Sequence, residues 1–193
     1  MTQDIHRPQF SIEQFSGSED QWAHIAPEVE EIQEAAFRDI FHGDKLEDMR
    51  WYLQTQFSYE RTQVFLMKLR ERIVGFTSYY PSSNWSALMH DEMNTYGIGE
   101  QEFKQMQAQT VTVGWTGIHP EFQGQGGWSL MMKKLDVRAR NDGYKYEVRY
   151  VRTANEYANK VEKRYDKSIL FKGSLEPGDF GPQTYFRIRI PRS

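Results

Sequence analysis

The feature that most constrains this chain is a glycine-rich turn at residues 118–128, where a predicted strand leads into a predicted helix. Its sequence is Ile118-His119-Pro120-Glu121-Phe122-Gln123-Gly124-Gln125-Gly126-Gly127-Trp128. The first amides of a helix have no acceptor within the helix and lie at the positive end of its dipole, so they attract anions. Glycines let the backbone turn sharply and come close to a bound group. The turn therefore predicts an anion site or, as the plainer alternative, a tight connection.

Two common phosphate-binding motifs do not fit this turn. The sequence has no Gly-x-x-x-x-Gly-Lys-Ser/Thr, so the turn is not a P-loop. Gly124 and Gly126 begin a dinucleotide fingerprint, but Ser129 stands where the third glycine belongs. If the turn binds phosphate, it does so through another motif.

Periodicity along the chain predicts one α/β domain over residues 1–193, with a mixed, mostly antiparallel sheet of about seven strands flanked by helices. Polar residues at about 82–108 predict an irregular excursion with a helix near 101–107. In chain order, we predict strands at 10–15, 63–69, 73–80, 110–118, 146–150, 169–171 and 184–190, and helices at 25–40, 44–54, 128–141 and from Asn155 onward.

The absence of cysteine from the 193 residues excludes several kinds of chemistry. It rules out disulfides, thiolate metal sites and a cysteine nucleophile. No apolar run reaches the ~18 residues that a membrane span needs, and the first eight residues lack the apolar stretch of a secretory signal. We therefore expect a soluble, cytoplasmic protein that has no metal site and no membrane partner.

Charge is distributed unevenly along the chain, although the formal net charge is only −3. Residues 1–60 contain four Lys/Arg and thirteen Asp/Glu, a net of −9, whereas residues 130–172 contain twelve and six, a net of +6. The basic segment predicts an anionic partner, such as a polyanionic cofactor or a nucleic acid. The alternative is a solvated helical surface that binds nothing.

The glycine-rich turn resembles the pyrophosphate-binding signature of the GNAT acyltransferase superfamily. That signature is an aliphatic residue, x, Pro, then Arg/Gln-x-x-Gly-x-Gly/Ala at a helix start, and four residues fall in register with it: Ile118, Pro120, Gln123 and Gly126. Thr153-x-Asn155-x-x-x-Asn159 is similar to a pattern of one branch of that family. The resemblance implies a single-domain GNAT-like fold and an N-acyltransferase that uses acetyl-CoA, or another acyl-CoA, and no metal.

The resemblance also implies where acyl-CoA would bind. The cofactor-binding residues would be Thr116, Gly117, Ile118, Gln123, Gly124, Gln125, Gly126, Gly127, Trp128, Asn155 and Asn159. Backbone N–H groups of residues 123–128 would hold the pyrophosphate, and the strand backbone near residues 116–118 would polarise the acyl carbonyl. Asn155 or Asn159 would touch the pantetheine or the thioester. The CoA phosphates would be neutralised by basic residues such as Lys133, Lys134, Arg138 or Lys160.

Two positions depart from the family pattern. Trp128 stands where the family has Gly or Ala, and its side chain either joins the core with Met131, Met132 and Leu135 or crowds the pyrophosphate. The Tyr with which many members protonate the departing sulfur falls, by spacing, on Asp166. Tyr165 is one residue early, and its helical phase with Tyr157 and Val161 predicts a core position. Tyr165 and Asp166 are both candidates for this role, and water is the alternative to them.

The sequence does not single out a general base for the amine. Glu121 and His119 lie within the turn, directly after the predicted strand, and the other candidates are Glu147, His90, Asp91 and Glu92. Each of them is more typical of a solvated surface group. Tyr79, Tyr80 and Trp85 predict core aromatics or, alternatively, the wall of a pocket for an apolar or aromatic acceptor.

The leading hypothesis for function is transfer of an acetyl group from acetyl-CoA to an amine, on a small molecule or a protein, by direct attack. A degenerate, non-catalytic domain that acts as a binding module is the alternative, which Trp128 and Asp166 keep open. A nucleic-acid partner ranks last, because the chain has no RNA-binding signature. The acidic residues at 28–48 favour a cationic acceptor, such as a polyamine, and a homodimer stays open.

Overall fold

The computed structural model describes residues 9–15, 19–37, 61–82, 88–153, 156–178 and 181–191. Within them it has an α/β fold with a mixed sheet, as predicted. The strands are β1 (Ser11–Phe15), β2 (Gln63–Leu69), β3 (Arg72–Pro81), β4 (Thr110–Val113), β5 (Gly117–Ile118), β6 (Tyr146–Arg152), β7 (Ile169–Gly178) and β8 (Gly181–Arg189). The helices are α1 (Glu19–Phe37), α2 (Met89–Tyr96), α3 (Glu100–Ala108), α4 (Gly127–Asn141) and α5 (Glu156–Tyr165), with short 3-10 helices at Pro120–Phe122 and Asp166–Ser168.

The chain divides into two compact units. The first comprises Met1–Tyr79 and Gly114–Leu135, and the second comprises Tyr80–Val113 and Asp136–Ser193. Strand β3 and helix α4 each contribute residues to both units. That residues 1–193 form a single domain stays a prediction.

The first unit is built on the antiparallel strands β1, β2 and β3, with β5 beside β3. Side chains at every second position of a strand point to the same face, which places Val64 and Leu66 of β2 on one side together with Phe76 of β3. Val29 and Ile32 lie three residues apart on one face of α1 and pack against them. These five buried side chains form the centre of the unit's core.

The strand predicted at 110–118 is divided into β4 and β5. Gly117 of β5 pairs with Phe76 of β3. A Cβ on Gly117 would lie 2.7 Å from Cε1 of the Phe76 ring, so a larger residue does not fit there without displacing the ring. The Thr116 and Thr77 hydroxyls lie 2.7 Å apart, which ties the chain to β3 just before β5. These contacts fix the strand end that leads into the glycine-rich turn.

The second unit contains its strands in the order β4-β6-β8-β7. β4 runs parallel to β6 for three residues and ends with Thr112 opposite Val148, whereas β8 runs antiparallel to all of β6, from Tyr146 to Arg152. β7 pairs with β8. Within the described part of this unit, the portion of β6 beyond Val148 therefore has a strand partner along one edge only.

The segment predicted as an irregular excursion is largely helical where the structure describes it. α2 is followed directly by Gly97, whose φ of +65° suits a glycine just beyond a helix C-terminus. α3 follows after two further residues, and it contains the helix predicted near 101–107. Both helices are short and bury few side chains, namely Glu92 on α2 and Phe103 and Gln107 on α3. Because the two helices have so few buried apolar residues, their sequence lacks a clear helical periodicity and predicts an irregular segment.

The strands β7 and β8 are both longer than predicted. The helix predicted at 44–54 lies outside the described residues, as does Trp85. No helix in the described ranges is both long and apolar enough to cross a membrane. Those ranges also contain no group of three His, Asp or Glu side chains arranged to hold a metal ion.

Candidate functional site

The glycine-rich turn owes its shape to two glycines in left-handed backbone conformations. Gly124 has a φ of +75° and Gly126 a φ of +88°. Residues with a Cβ rarely adopt such values, so the sequence needs glycine at both positions. A Cβ placed on either residue would meet no described atom within 4 Å. The backbone of the turn therefore borders open space, as a site that receives a ligand requires.

Two glutamine side chains brace this turn from within. The Gln123 side chain donates from Nε2 to the carbonyl of Ile118 at 3.0 Å. The Gln125 side chain donates from Nε2 to the carbonyl of Glu121 at 2.8 Å. Gln123 was predicted to act through its backbone amide, and its side chain adds a bond that joins the turn to the end of β5. The turn is thus ordered by its own contacts.

Helix α4 begins directly after the turn and presents its N-terminus there. The amide of Leu130 donates to the carbonyl of Gly126 at 3.2 Å, which is the first backbone bond of the helix. The amides of Gly127 and Ser129 precede that bond and point beyond the helix end. Gly127 is buried, and a Cβ there would lie 2.9 Å from Cε of Met67 on β2. Close packing on β2 thus fixes the helix start, whose positive dipole end favours an anion.

Trp128, the departure from the family signature, is half-buried, and its indole nitrogen is fully buried. It lies three, four and seven residues before the buried Met131, Met132 and Leu135, so they share one face of α4. The burial favours the interpretation that its side chain packs with the core rather than crowding the turn. Lys133 is exposed on the same helix.

Several basic residues of the 130–172 segment are neutralised by acidic partners within the fold. Four of them form ion pairs: Arg138 with Asp142, Arg149 with Glu147, Arg164 with Asp136, and Lys172 with Glu162. Lys133 and Lys134, in contrast, are exposed on α4. The net charge of the segment therefore overstates the charge that it offers to a partner.

The Tyr165 hydroxyl belongs to a buried network around β6. It donates to Oδ1 of Asp136 at 3.0 Å and accepts from an amino group of Arg149 at 3.0 Å. Arg149 also forms a two-pronged ion pair with Glu147, at 2.9 and 3.1 Å. Burial raises the pKa of Tyr165 well above its ordinary value. Tyr165 is thus in the core, as its helical phase predicts, and its hydroxyl is held by two charged partners. The β6 network comprises Asp136, Glu147, Arg149, Tyr157, Arg164 and Tyr165.

A second buried network lies around β8 and corrects an expectation about Glu92. Glu92 was interpreted as a solvated group, but it is fully buried, and its Oε2 accepts from Nε of Arg187 at 2.6 Å. The other guanidinium nitrogens donate to Oγ1 of Thr110 at 3.0 Å and to Oε1 of Gln107 at 2.7 Å. Burial raises the pKa of Glu92, and the charge of Arg187 opposes that shift. The β8 network comprises Glu92, Gln107, Thr110, Tyr185 and Arg187.

The expectation that Glu147 is a solvated group is also corrected, since Glu147 is fully buried and paired with Arg149. A signal for these pairs is present in the strand sequences. Arg149 and Arg187 each lie between apolar or aromatic residues that predict strands buried on both faces, where an arginine requires an acidic partner. The sequence could not identify that partner, because Glu92 comes from a helix 95 residues earlier than Arg187.

Of the remaining candidates for proton transfer, His119 is half-buried and the others are exposed. Glu121 lies 3.6 Å from Nδ1 of His119 and 3.9 Å from a guanidinium nitrogen of Arg72. Asp166 is exposed at the start of its 3-10 helix, and His90 and Asp91 are exposed on α2. Glu121 and Asp166 stay predictions as catalytic groups.

The remaining predicted site residues are the asparagines at positions 155 and 159 and the two tyrosines of β3. Asn159 is exposed on α5, whereas Asn155 lies outside the described residues. Tyr79 is buried, and its ring centroid is 6.0 Å from that of Phe65, which places it in the core. Tyr80 is half-buried.

The sequence matches one family model over most of its length. The model of the acetyltransferase (GNAT) family matches residues 26–164. A search of curated proteins finds no significant match.

Solved structures of similar fold cover nearly the whole chain. A GNAT-family protein of Desulfovibrio desulfuricans has a TM-score of 0.62 at 11% identity, covering 95% of this chain and 100% of its own. The ribosomal-protein-S18-alanine N-acetyltransferase of Escherichia coli has a TM-score of 0.59 at 13% identity, covering 96% of each chain. The yncA protein of Salmonella typhimurium, solved with its cofactor acetyl-CoA, has a TM-score of 0.55 at 14% identity, covering 94% of this chain and 95% of its own. At these identities the likeness is one of fold.

Proposed function

Since the chain belongs to the acetyltransferase (GNAT) family, we propose that its glycine-rich turn holds the pyrophosphate of acetyl-CoA during direct transfer of the acetyl group to an amine. The observation that carries this proposal is the backbone of Gly124 and Gly126. Both have positive φ and border open space, directly before a helix N-terminus. Backbone amides at such a helix start suit the charge and the geometry of a phosphate group.

The residues of the turn fit this group for a further reason. Gln123 and Gln125 bond to carbonyls inside the turn, so the backbone is ordered before a ligand arrives and loses less entropy on binding. Lys133 and Lys134 are exposed on the helix that follows, and we propose that they attract the phosphates.

The reaction requires that the amine lose a proton, that a C–N bond form and that the C–S bond break. Acetyl-CoA supplies the activated thioester. We propose that strand backbone at residues 116–118 receives the developing oxyanion, because β5 is fixed to β3 and its amides need no rearrangement. The chain has no cysteine, so an acyl-thioester intermediate on the protein is excluded.

We further propose that water, rather than Tyr165, returns a proton to the departing sulfur. The Tyr165 hydroxyl donates its hydrogen to Asp136, and burial raises its pKa, both of which make it a poor acid. Asp166 is exposed at the start of its 3-10 helix, so water is also present near that position.

Thermal unfolding with and without acetyl-CoA tests the proposal. A ligand that binds only the folded state at 100 times its Kd adds about 2.7 kcal/mol, which raises the Tm of a chain of this size by about 5–10 °C. Gly126→Glu places a charged side chain where the anion binds and is expected to abolish the shift. Gly143→Glu is the matched control, since Gly143 has a φ of +90° and equally open surroundings at the other end of α4.

Each outcome decides between defined alternatives. If acetyl-CoA raises the Tm of Gly126→Glu and Gly143→Glu equally, the pyrophosphate does not bind at the turn. No shift of the unmodified chain with acetyl-CoA or CoA would favour the non-catalytic binding module. Thiol release can be followed with a thiol-reactive dye without background, because the protein has no cysteine.

A further inference from the structure

Helix α2 carries two buried oxygen atoms that have no hydrogen-bond partner among the described residues. Glu92 is fully buried, and only its Oε2 contacts Arg187, whereas its Oε1 has no hydrogen-bond partner among the described residues. The Tyr96 hydroxyl is buried in the same way and likewise has no partner among them. The two residues are four apart, so they lie on one face of the helix. Burial, and then the charge of Glu92, raises the pKa of Tyr96.

Such groups are rare in folded proteins, because each costs about 1–3 kcal/mol when it has no partner. A carboxylate oxygen can only accept a hydrogen bond, and a hydroxyl can donate or accept. A molecule that carries at least one N–H or O–H donor would therefore satisfy the pair.

A row of aromatic rings continues from Tyr96. The ring centroids lie 6.4 Å apart from Tyr96 to Phe171, 6.0 Å from Phe171 to Tyr185, and 5.3 Å from Tyr185 to Tyr150. Tyr150 is 39% exposed, and Tyr96 and Phe171 are half-buried, so the row reaches the surface. Tyr185 itself is fully buried, so the rings of the row that are accessible to the body of a ligand are Tyr96, Phe171 and Tyr150.

We propose that Glu92 and Tyr96 bind the amino group of the acceptor, and that the acceptor is a primary amine with an aromatic or similarly flat apolar body. This inference rests on the proposed function, which requires an amine. The amino group donates to Oε1 of Glu92 and contacts the Tyr96 hydroxyl. The body of the acceptor packs against the accessible parts of Tyr96 and Phe171, the first two rings of the row.

Glu92 acts here as an anchor and remains a carboxylate. Arg187 is fully buried, and a guanidinium keeps its charge in proteins. Among its described hydrogen-bond partners only Glu92 is acidic, since Gln107, Thr110 and Tyr185 are neutral. Protonation of Glu92 would leave that buried charge uncompensated. Oε1 is therefore a strong acceptor for the N–H of an amine.

Tyr96→Phe is the decisive variant. Glu92→Gln would remove the only acidic hydrogen-bond partner of Arg187 in the described chain, so its effect on binding cannot be separated from misfolding. Tyr96→Phe, in contrast, deletes one hydroxyl. A buried hydroxyl without a partner contributes nothing to folding, so the Tm of Tyr96→Phe is expected to equal or exceed that of the unmodified chain. A structural role for this hydroxyl predicts a lower Tm. Tyr144→Phe, at a half-buried tyrosine outside the cluster, is the matched control.

Calorimetric titration of the full chain measures the binding without catalysis. The probes are benzylamine, phenethylamine and tyramine, with benzyl alcohol for comparison. We expect at least one amine to bind more tightly than the alcohol, and its affinity to fall about three- to tenfold in Tyr96→Phe, as for the loss of one hydrogen bond. The affinity in Tyr144→Phe is expected to stay unchanged. When acetylation of the same amine is assayed, its KM in Tyr96→Phe should rise by the same factor by which the affinity falls.

Two results would overturn the inference. The first is that none of the three amines binds. The second is that binding is equal in the Tyr96→Phe and Tyr144→Phe proteins, which would mean that only water occupies the two groups. The rise in Tm with acetyl-CoA tests the proposed function separately. If that rise is observed while either of these two results is obtained, the acceptor site is wrong and the proposed function still stands.

Discussion

The glycine-rich turn and the β8 network are polar regions built in opposite ways. The turn depends on backbone conformation within a few residues, at Gly124 and Gly126, and on glutamines that bond inside it. The β8 network depends on long side chains such as Arg187 and Glu92, which are far apart in sequence. The conformation of a backbone site is determined by residues that are close in sequence. A buried network, in contrast, forms only when residues far apart in sequence pack together. The turn is therefore sensitive to a single added Cβ, and the network to a single lost charge.

Removal of Arg187 is expected to have the largest effect on the free energy of unfolding, and it tests the β8 network. Arg187→Met leaves the carboxylate of Glu92 buried without its ion-pair partner, which should lower the free energy of unfolding by about 3–5 kcal/mol. Urea unfolding followed by circular dichroism measures this loss. Arg189→Met, at an exposed arginine of the same strand, is the control and should change the free energy by less than about 0.5 kcal/mol.

The double variant Arg187→Met, Glu92→Met separates charge from packing. When both ions of a buried pair are replaced by apolar residues, stability is often retained or gained. The double variant should therefore recover most of the loss. A double variant as unstable as the single one would show that the network contributes shape and hydrogen bonds rather than charge compensation.

Tyr165→Phe is expected to have the next largest effect, and it tests the β6 network. The substitution removes one hydrogen bond from Asp136 and one from Arg149, both buried, at a cost of about 1–3 kcal/mol. The kcat is expected to stay close to that of the unmodified chain. Loss of a general acid would instead lower kcat by about 10²–10⁴-fold. Such a fall would identify Tyr165 as the group that protonates the departing sulfur.

The two regions also show what sequence can and cannot predict. Order and type of most elements followed from periodicity, and the turn followed from the spacing of Pro120, Gln123 and Gly126, because those interactions are local. The networks were missed, since nothing near Arg187 in the sequence identifies Glu92 as its partner. The helix α2 was missed for a related reason. Its single fully buried residue is the charged Glu92, so it has little apolar periodicity to detect.

Alanine substitutions in the turn test how far its function depends on backbone alone. Gly126→Ala and Gly143→Ala both place a Cβ on a residue of strongly positive φ in open surroundings. Each should cost about 1–2 kcal/mol of stability. Only Gly126→Ala should also weaken acetyl-CoA binding, by about tenfold, which corresponds to about 1.4 kcal/mol. Titration calorimetry compares the two, and equal affinities would indicate that the ligand does not approach Gly126.

The smallest expected effect concerns the only charged side chains that we assign to the turn's ligand. Lys133 and Lys134 are exposed on α4, so their attraction for phosphates is weakened by solvent and salt. Replacing both by Gln should raise the Kd for acetyl-CoA about two- to fivefold at low ionic strength, and less as salt increases. The double variant Lys145→Gln, Lys167→Gln removes the same charge from exposed positions of the same basic segment. If the two double variants weaken binding equally, the segment acts through its net charge. If only the first does, α4 attracts the anion locally, and the turn binds it with help from side chains as well as backbone.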